Sequence, residues 1–263
     1  MISVPSRVTK PLNANTLGSL NNKISEPLNR STVMSLNVKK QNAENAMPAK
    51  QAQQQACAVS AVETATPASN IVDMPVPEMR KLLRKGQKTA LAASGSVVRS
   101  LKACFGWNVK NAACDIDASA FLVTETGKVA GDSWFVFYGQ PESPDGSVVF
   151  KADGGAQDRE LITIDFGRLN PMVKKIVFVL TINETFEQNL NFNMVKDAYG
   201  RILDGTTNQE ILSFELDEYY ANVTSMTIGE LYIHNGQWKF NPVGNGVCQD
   251  LAGQCAIYGV EIE

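Results

Sequence analysis

Histidine is almost missing from this chain: the 263 residues hold one, His234. A lone imidazole leaves a zinc site short of ligands and offers a serine or cysteine triad only one base. Cysteine is also sparse. Cys57, Cys104, Cys114, Cys248 and Cys255 are odd in number and form no CxxC, so they read as reduced thiols rather than a disulfide framework. No apolar run approaches the roughly 20 residues of a membrane span. The opening MISVPSRVTKPLNANTLGSL lacks the apolar block of a secretory signal. Its basic, acid-poor character is loosely that of a transit peptide, without an amphipathic helix. Walker A loops, GxGxxG after a strand, GxSxG and HExxH are absent, and the chain reads as non-enzymatic. A net charge of −3 and a pI near 5.4 give no general attraction to nucleic acid. The basic run Arg80, Lys81, Arg84, Lys85, Lys88 has no interleaved aromatics.

Aromatic residues do not occur before Phe105. Residues 1–77 are rich in Asn, Gln, Ser, Ala and Pro, and such a segment buries too little surface to offset its ordering entropy. It is expected to be a disordered, mildly basic extension, with a transient helix around residues 43–58. Order is expected from residue 78 to 263 as one domain.

From there strand signals follow quickly. A basic helix or turn over MRKLLRKG gives way to a strand, and SVVRSLKACFGW is a second. Ala118–Thr124, Trp134–Tyr138, Ser147–Lys151 and Glu160–Phe166 continue the series. KKIVFVLTI (174–182) is apolar on both faces and predicts a central strand covered on both sides. NETFEQNLNFNMV reads as a loop with a helical turn, and Asp197–Leu203 with Glu210–Leu216 as a hairpin. Asn235-Gly236 predicts a type I′ turn. That register pairs His234 with Gln237, Ile233 with Trp238 and Leu231 with Phe240, placing Leu231, Ile233, Trp238 and Phe240 in the core and His234 outside. CQDLAGQCAIYG predicts a short helix stopped by Gly259, then a strand VEIE. Many short strands and little helix indicate an all-β sandwich of two mostly antiparallel sheets.

What is abundant is acid, and it is concentrated. Cys114–Asp165 holds ten acids (Asp115, Asp117, Glu125, Asp132, Glu142, Asp145, Asp153, Asp158, Glu160, Asp165) against Lys128, Lys151 and Arg159. Crowded like charges are costly unless water or a cation screens them. Either the acids are solvated turn residues or they bind a hard, oxygen-loving cation, with calcium the natural candidate. In an extended CDIDASAF, Asp115 and Asp117 project from one face. Calcium takes six to eight oxygens. Asp145, the loop from Asp153 to Glu160 including Asp158, and Asn183 with Glu184 are further sources. Gly154 and Gly155 let that loop turn its carbonyls inward.

These segments carry a resemblance. CDIDASAFLV, DSWFVFYGQPESPDGSVV, ELITIDFGRLNPMVKKIVFVLTINE, FNMVKDAYGRI, TSMTIGELYIHNGQWKFNPVGNGV and DLAGQCAIYGV, with LLRKGQKTAL and FGW before them, resemble the TerD family of tellurium-resistance and general stress proteins. The resemblance runs from about Glu78 to Glu263. It implies a calcium-binding β-sandwich without an established reaction, holding one or two ions. It also implies a cytoplasmic protein working with other Ter-type proteins and a membrane-bound TerC-like partner at the inner membrane surface. Asp115 and Asp117 match the family's DxDAS, Asp145 its SPDGSV, and Asp153, Asp158 and Glu160 its acidic loop. The loop here is about four residues short and carries Arg159 in place of an aspartate, so the resemblance favours Asp115 and Asp117 over the 153–160 loop. Two other readings stand beside it. One is a scaffold indifferent to calcium. The other is a small-ligand or cyclic-nucleotide binder, for which Arg201 is the candidate phosphate contact.

Overall fold

The computed structural model describes residues 71–92, 98–155, 157–216 and 221–262. The leading extension lies outside them as far as residue 70, as does the expected helix at 43–58. Among the described residues there are eleven strands and one α-helix: β1 (Thr89–Ala90), β2 (Ser100–Val109), β3 (Ile116–Val123), β4 (Phe135–Val136), β5 (Val148–Lys151), β6 (Glu160–Asp165), β7 (Lys175–Ile182), β8 (Val195–Asp204), β9 (Glu210–Glu215), β10 (Ser225–His234), β11 (Gln237–Val247) and α1 (Leu251–Tyr258). Two antiparallel sheets result, a six-stranded one ordered β1-β11-β10-β7-β3-β4 and a five-stranded one ordered β5-β6-β2-β8-β9.

The core lies between the sheets. Phe105 of β2 packs on Phe178 of β7 with ring centroids 5.4 Å apart, and Phe214 of β9 on Phe240 of β11 at 5.1 Å. Strand β6 alternates as its sequence requires, with Glu160, Ile162 and Ile164 buried. Strand β7 is buried at seven of its eight residues. Its outer face is covered by α1: Tyr258 stacks on Phe121 at 4.4 Å, and Gln254 Nε2 donates to Ser225 Oγ at 2.6 Å. Asp250 caps the start of that helix by accepting from the Gly253 N–H, and Gly259 ends it at φ 76°.

The hairpin register is the expected one, with Asn235 and Gly236 at φ 53° and 74° in the turn. Leu231 and Phe240 are fully buried, and Trp238 packs against Phe166 with ring centroids 5.1 Å apart. Ile233 departs from expectation. It is 38% exposed, one residue short of the hairpin turn's flanking pair His234 and Gln237. Two other details differ. The strand expected at 134–138 is a 3₁₀ turn, Asp132–Trp134, followed by only two strand residues. The region after Gly259 carries one bridging position, Ile262, in place of a strand. Residues 80–86 take the turn of the two expected alternatives, with Leu82 bridging to Ser213. Residues 71–77, which composition assigned to the extension, include Met74, which is hydrogen-bonded to Asn108 of β2.

Removing the Phe178 ring takes away the contact between the two sheets near the centre of the core. Phe178→Ala is expected to cost about 3–5 kcal/mol of unfolding free energy in a denaturant titration. A loss below about 1 kcal/mol would place the ring outside the structural core.

Candidate metal centre

Strand β3 brings the first acids into position. Antiparallel pairing sets Asp117 opposite Thr181 of β7, and Thr181 opposite Ser225 of β10. Asp117, Thr181 and Ser225 thus form a polar row across three strands, on the face that α1 covers. All three are buried, and both Asp117 carboxylate oxygens are sealed from solvent. Asp115 lies just before β3, where its carbonyl accepts the Asn183 N–H at 2.8 Å. Buried Asn183 thereby stands beside the first acid, and its Oδ1 accepts the Glu184 N–H at 2.9 Å.

Glu160 arrives from the other sheet. Strand β4 pairs with β3 only at Ala120 and Phe121, which leaves the edge of β3 open toward its start. Glu160, 1% exposed, fills the gap: its Oε2 accepts the Ala118 N–H at 2.6 Å. Three acids from two sheets then act on one phenol. Burial drives the Tyr138 pKa far up, and Asp117, Asp115 and Glu160 push it further in that order. Tyr138, Thr181, Asp117 and Asn183 line one small cavity with Leu251 at the start of α1. The Tyr138 hydroxyl and Thr181 Oγ1 are buried there without a hydrogen-bond partner among the described residues. A second concavity shares Thr181, Asn183 and Leu251 and extends to Glu184, Phe186, Glu187 and Asp250.

The remaining acids lie elsewhere. Asp145 is absorbed by its own turn. Its Oδ1 accepts from Ser143 Oγ at 2.7 Å, Ser147 Oγ at 2.7 Å and Ser147 N–H at 3.0 Å, while its Oδ2 accepts the Asn170 N–H at 2.8 Å. Burial alone would raise its pKa, but the donors from Ser147, Ser143 and Asn170 outweigh that and hold it below the ordinary aspartate value. Asp153 is exposed and accepts the Gly155 N–H in a local turn. Asp158 is buried and held by Arg201 at both oxygens, at 2.6 Å and 3.2 Å, with the Tyr199 hydroxyl at 3.2 Å. Arg201 is thereby committed to a carboxylate and not open to a phosphate. Glu184 reaches Gln188 Nε2 at 2.5 Å. Among the described residues no three His, Cys, Asp or Glu side chains close on one point as a ready-made metal cage. The structure therefore gathers Asp115, Asp117, Glu160 and Asn183, with Glu184 adjacent, and separates Asp145, Asp153 and Asp158 from them.

Sequence reasoning missed Tyr138 and Thr181. Thr181 had a signal: it is the one hydroxyl in the apolar run of β7. Tyr138 had none, since only the fold carries it to the acids. Arg159 also takes an unforeseen course. It turns from the carboxylates and donates through Nε to the Trp107 carbonyl at 2.5 Å. The cysteines Cys104, Cys114 and Cys255 are free and buried, as reduced thiols should be. Burial, and then Asp158, push the Cys104 pKa up to about 12. Cys248, by contrast, is disulfide-bonded, against the expectation of a thiol there.

Two antiparallel sheets around one core, with a buried polar row under a closing helix, define an all-β sandwich domain. The TerD domain matches residues 79–258, and the chain belongs to the TerD family. It is 36% identical over 185 residues to the tellurium resistance protein TerD of Serratia marcescens, an alignment covering 68% of this chain and 96% of that one. General stress protein 16U of Bacillus subtilis (strain 168) is 34% identical over 188 residues, covering 68% of this chain and 97% of its own. A crystal structure of a TerD homologue from Streptomyces coelicolor A3(2) superposes with a TM-score of 0.50 at 17% identity, over 64% of this chain and 100% of that one. A solved protein of unknown function gives 0.51 at 22% identity, over 62% and 98%. These two structures share the fold.

Asp145 serves as an internal standard for the acids outside the mouth. Asp145→Asn is expected to lower stability by about 1–3 kcal/mol at neutral pH, since an amide cannot accept from all four donors. The sign follows from linkage. A depressed carboxyl pKa stabilises the fold above the unfolded-state value, and the contribution is lost as pH falls through the folded value. The gap between wild type and variant in chemical unfolding should therefore close on acidification. Parallel curves at every pH would remove the turn from that role.

Proposed function

We propose that this chain is a non-enzymatic, calcium-binding stress-response protein of the TerD type, acting as a binding or scaffold module. The observation that carries the reading is buried Asp117 on a cavity with two unpartnered buried hydroxyls, with Asp115 and Glu160, the latter from the other sheet, near enough to act on the Tyr138 phenol of that cavity. Hydroxyl, amide and carboxylate oxygens are the donors a hard cation prefers. Burying carboxylates is expensive, and a divalent charge among them offsets that cost. Asp115, Asp117, Glu160 and the Asn183 amide would hold the ion, and its chemistry there is charge neutralisation. Thr181, backbone carbonyls and water supply the rest of the six to eight oxygens.

The acids that stand apart support a single main site over two equal ones. Asp158 already has its counter-charge in Arg201, and Asp145 has its four donors. Tellurium resistance and stress response are what the relatives' names state, and this chain is proposed to share that role. Its partners on this reading are other Ter-type proteins and a TerC-like membrane protein. Its place is the cytoplasm, next to the inner membrane. Among the described residues no helix is long and apolar enough to cross a membrane.

Isothermal titration of the full chain with calcium tests the reading. Binding heat is expected, together with a rise in melting temperature, because a ligand held only by the native state stabilises it by about 2.7 kcal/mol at 100 times its Kd. Asp117→Asn should weaken binding about 10-fold or more, equivalent to about 1.4 kcal/mol, while Asp153→Asn should leave it unchanged. Absence of heat, or equal effects of the two substitutions, would sink the proposal.

A further inference from the structure

Residues 71–83 run against the outer side of the five-stranded sheet and are held there by groups on the sheet. Asn108 of β2 is 3% exposed, and its amide reads the arm's backbone in both directions: Oδ1 accepts the Met74 N–H at 2.8 Å and Nδ2 donates to the Met74 carbonyl at 3.0 Å. The same Nδ2 lies 3.1 Å from Asp197 Oδ2. Asp197 has φ 53°, at the irregularity where β8 slips past β2. Lys196 pairs with Asp73 at 2.6 Å. Farther along, Glu210 accepts the N–H groups of Arg80 and Lys81 at 3.0 Å and 2.7 Å. Ser213 accepts the Leu83 N–H and donates its own to the Lys81 carbonyl, so the arm extends the sheet beyond β9. The family match begins at residue 79, so the Asn108 clamp on Met74 holds a segment outside it.

The floor beneath the arm is joined to the acidic mouth by the chain segment 158–160. Met74 and Pro75 close a small cavity over Trp107, Tyr199, Asp197 and Arg159. Arg159 lies over the Trp107 ring at 5.8 Å, and its N–H donates to the Phe105 carbonyl at 2.8 Å. Its neighbour Asp158 is locked to Arg201 and Tyr199, and its other neighbour is Glu160, which reaches into the mouth. Adjacent residues therefore face two places: Arg159 the arm's floor, Glu160 the β3 edge beside Asp117.

We propose that the 71–83 arm is a docked element whose seating is linked to cation binding at the acidic mouth through the segment 158–160, a linkage that rests on the calcium reading above. The seated arm keeps water from Trp107, Tyr199 and Arg159 and fixes the backbone from which Glu160 projects. A positioned Glu160 binds a cation more tightly than one that must be ordered first. Coupling of this kind is reciprocal, so the cation also tightens the arm. Glu160 would touch the ion, and Arg159 and Asn108 act as positioning residues.

The test uses the full chain and Met74→Pro. The substitution deletes the N–H that Asn108 accepts and changes no residue of the TerD domain itself. Hydrogen exchange at the Met74, Arg80 and Lys81 amides should slow about fivefold or more on adding calcium, and Met74→Pro should bind calcium about fivefold more weakly by titration calorimetry. Wild-type chain that binds no calcium overturns the calcium reading and the linkage with it. Calcium binding with unchanged arm exchange, or equal affinity in Met74→Pro, overturns the linkage alone.

Discussion

Strand β7 is buried on both faces, and a strand so placed demands a cover on each side. The five-stranded sheet supplies one cover through contacts such as Phe105 on Phe178. Helix α1 supplies the other, resting over β3, β7 and β10 through Tyr258 and Gln254. That second cover creates the site. A row of polar side chains, Asp117, Thr181 and Ser225, is sealed beneath a helix instead of facing water. Ser225 is answered by Gln254, and the row opens toward the mouth at Asp117. The polar end of the molecule is thus a by-product of how its most apolar strand is buried.

Charge is handled differently at the two ends of the loop before β6. At Asp158 an arginine from β8 supplies both hydrogen bonds and the opposite charge, which is what a buried carboxylate needs. Two residues later, Glu160 is anchored by a backbone N–H and faces other acids. One carboxylate meets an arginine, and the other meets a backbone N–H and acts, with Asp117 and Asp115, on the Tyr138 phenol. This asymmetry separates structural from candidate binding acids more cleanly than the density of acids along the chain. Arg159, between them, turns outward to Trp107, so its charge is kept from the mouth.

The outer face of the five-stranded sheet is the other place where this chain differs from a bare sandwich. An exposed sheet edge invites pairing with other chains, and residues 81–83 occupy the edge at β9. The arm thereby protects the sheet while laying its own backbone over the residues that support Glu160.

The sequence by itself determined whatever depends on local periodicity. The central strand was visible in KKIVFVLTI, the Asn235-Gly236 register in its turn, the closing helix in its cap and Gly259, and the Asp115 and Asp117 pair in their spacing of two. Side-chain period and turn chemistry are properties of a few adjacent residues, so they survive without knowledge of the fold. Only the tertiary structure decided which acids meet. Asp158 and Arg201 are 43 residues apart, and Ala118 and Glu160 are 42 apart. Those separations are bridged by sheet order, which no local pattern encodes. The same holds for Tyr138, which shares a cavity with Asp117, and for Ile233, which shares a face with buried Leu231 yet is 38% exposed. Strand spacing sets the direction of a side chain, while the extent of the facing layer decides whether it is buried.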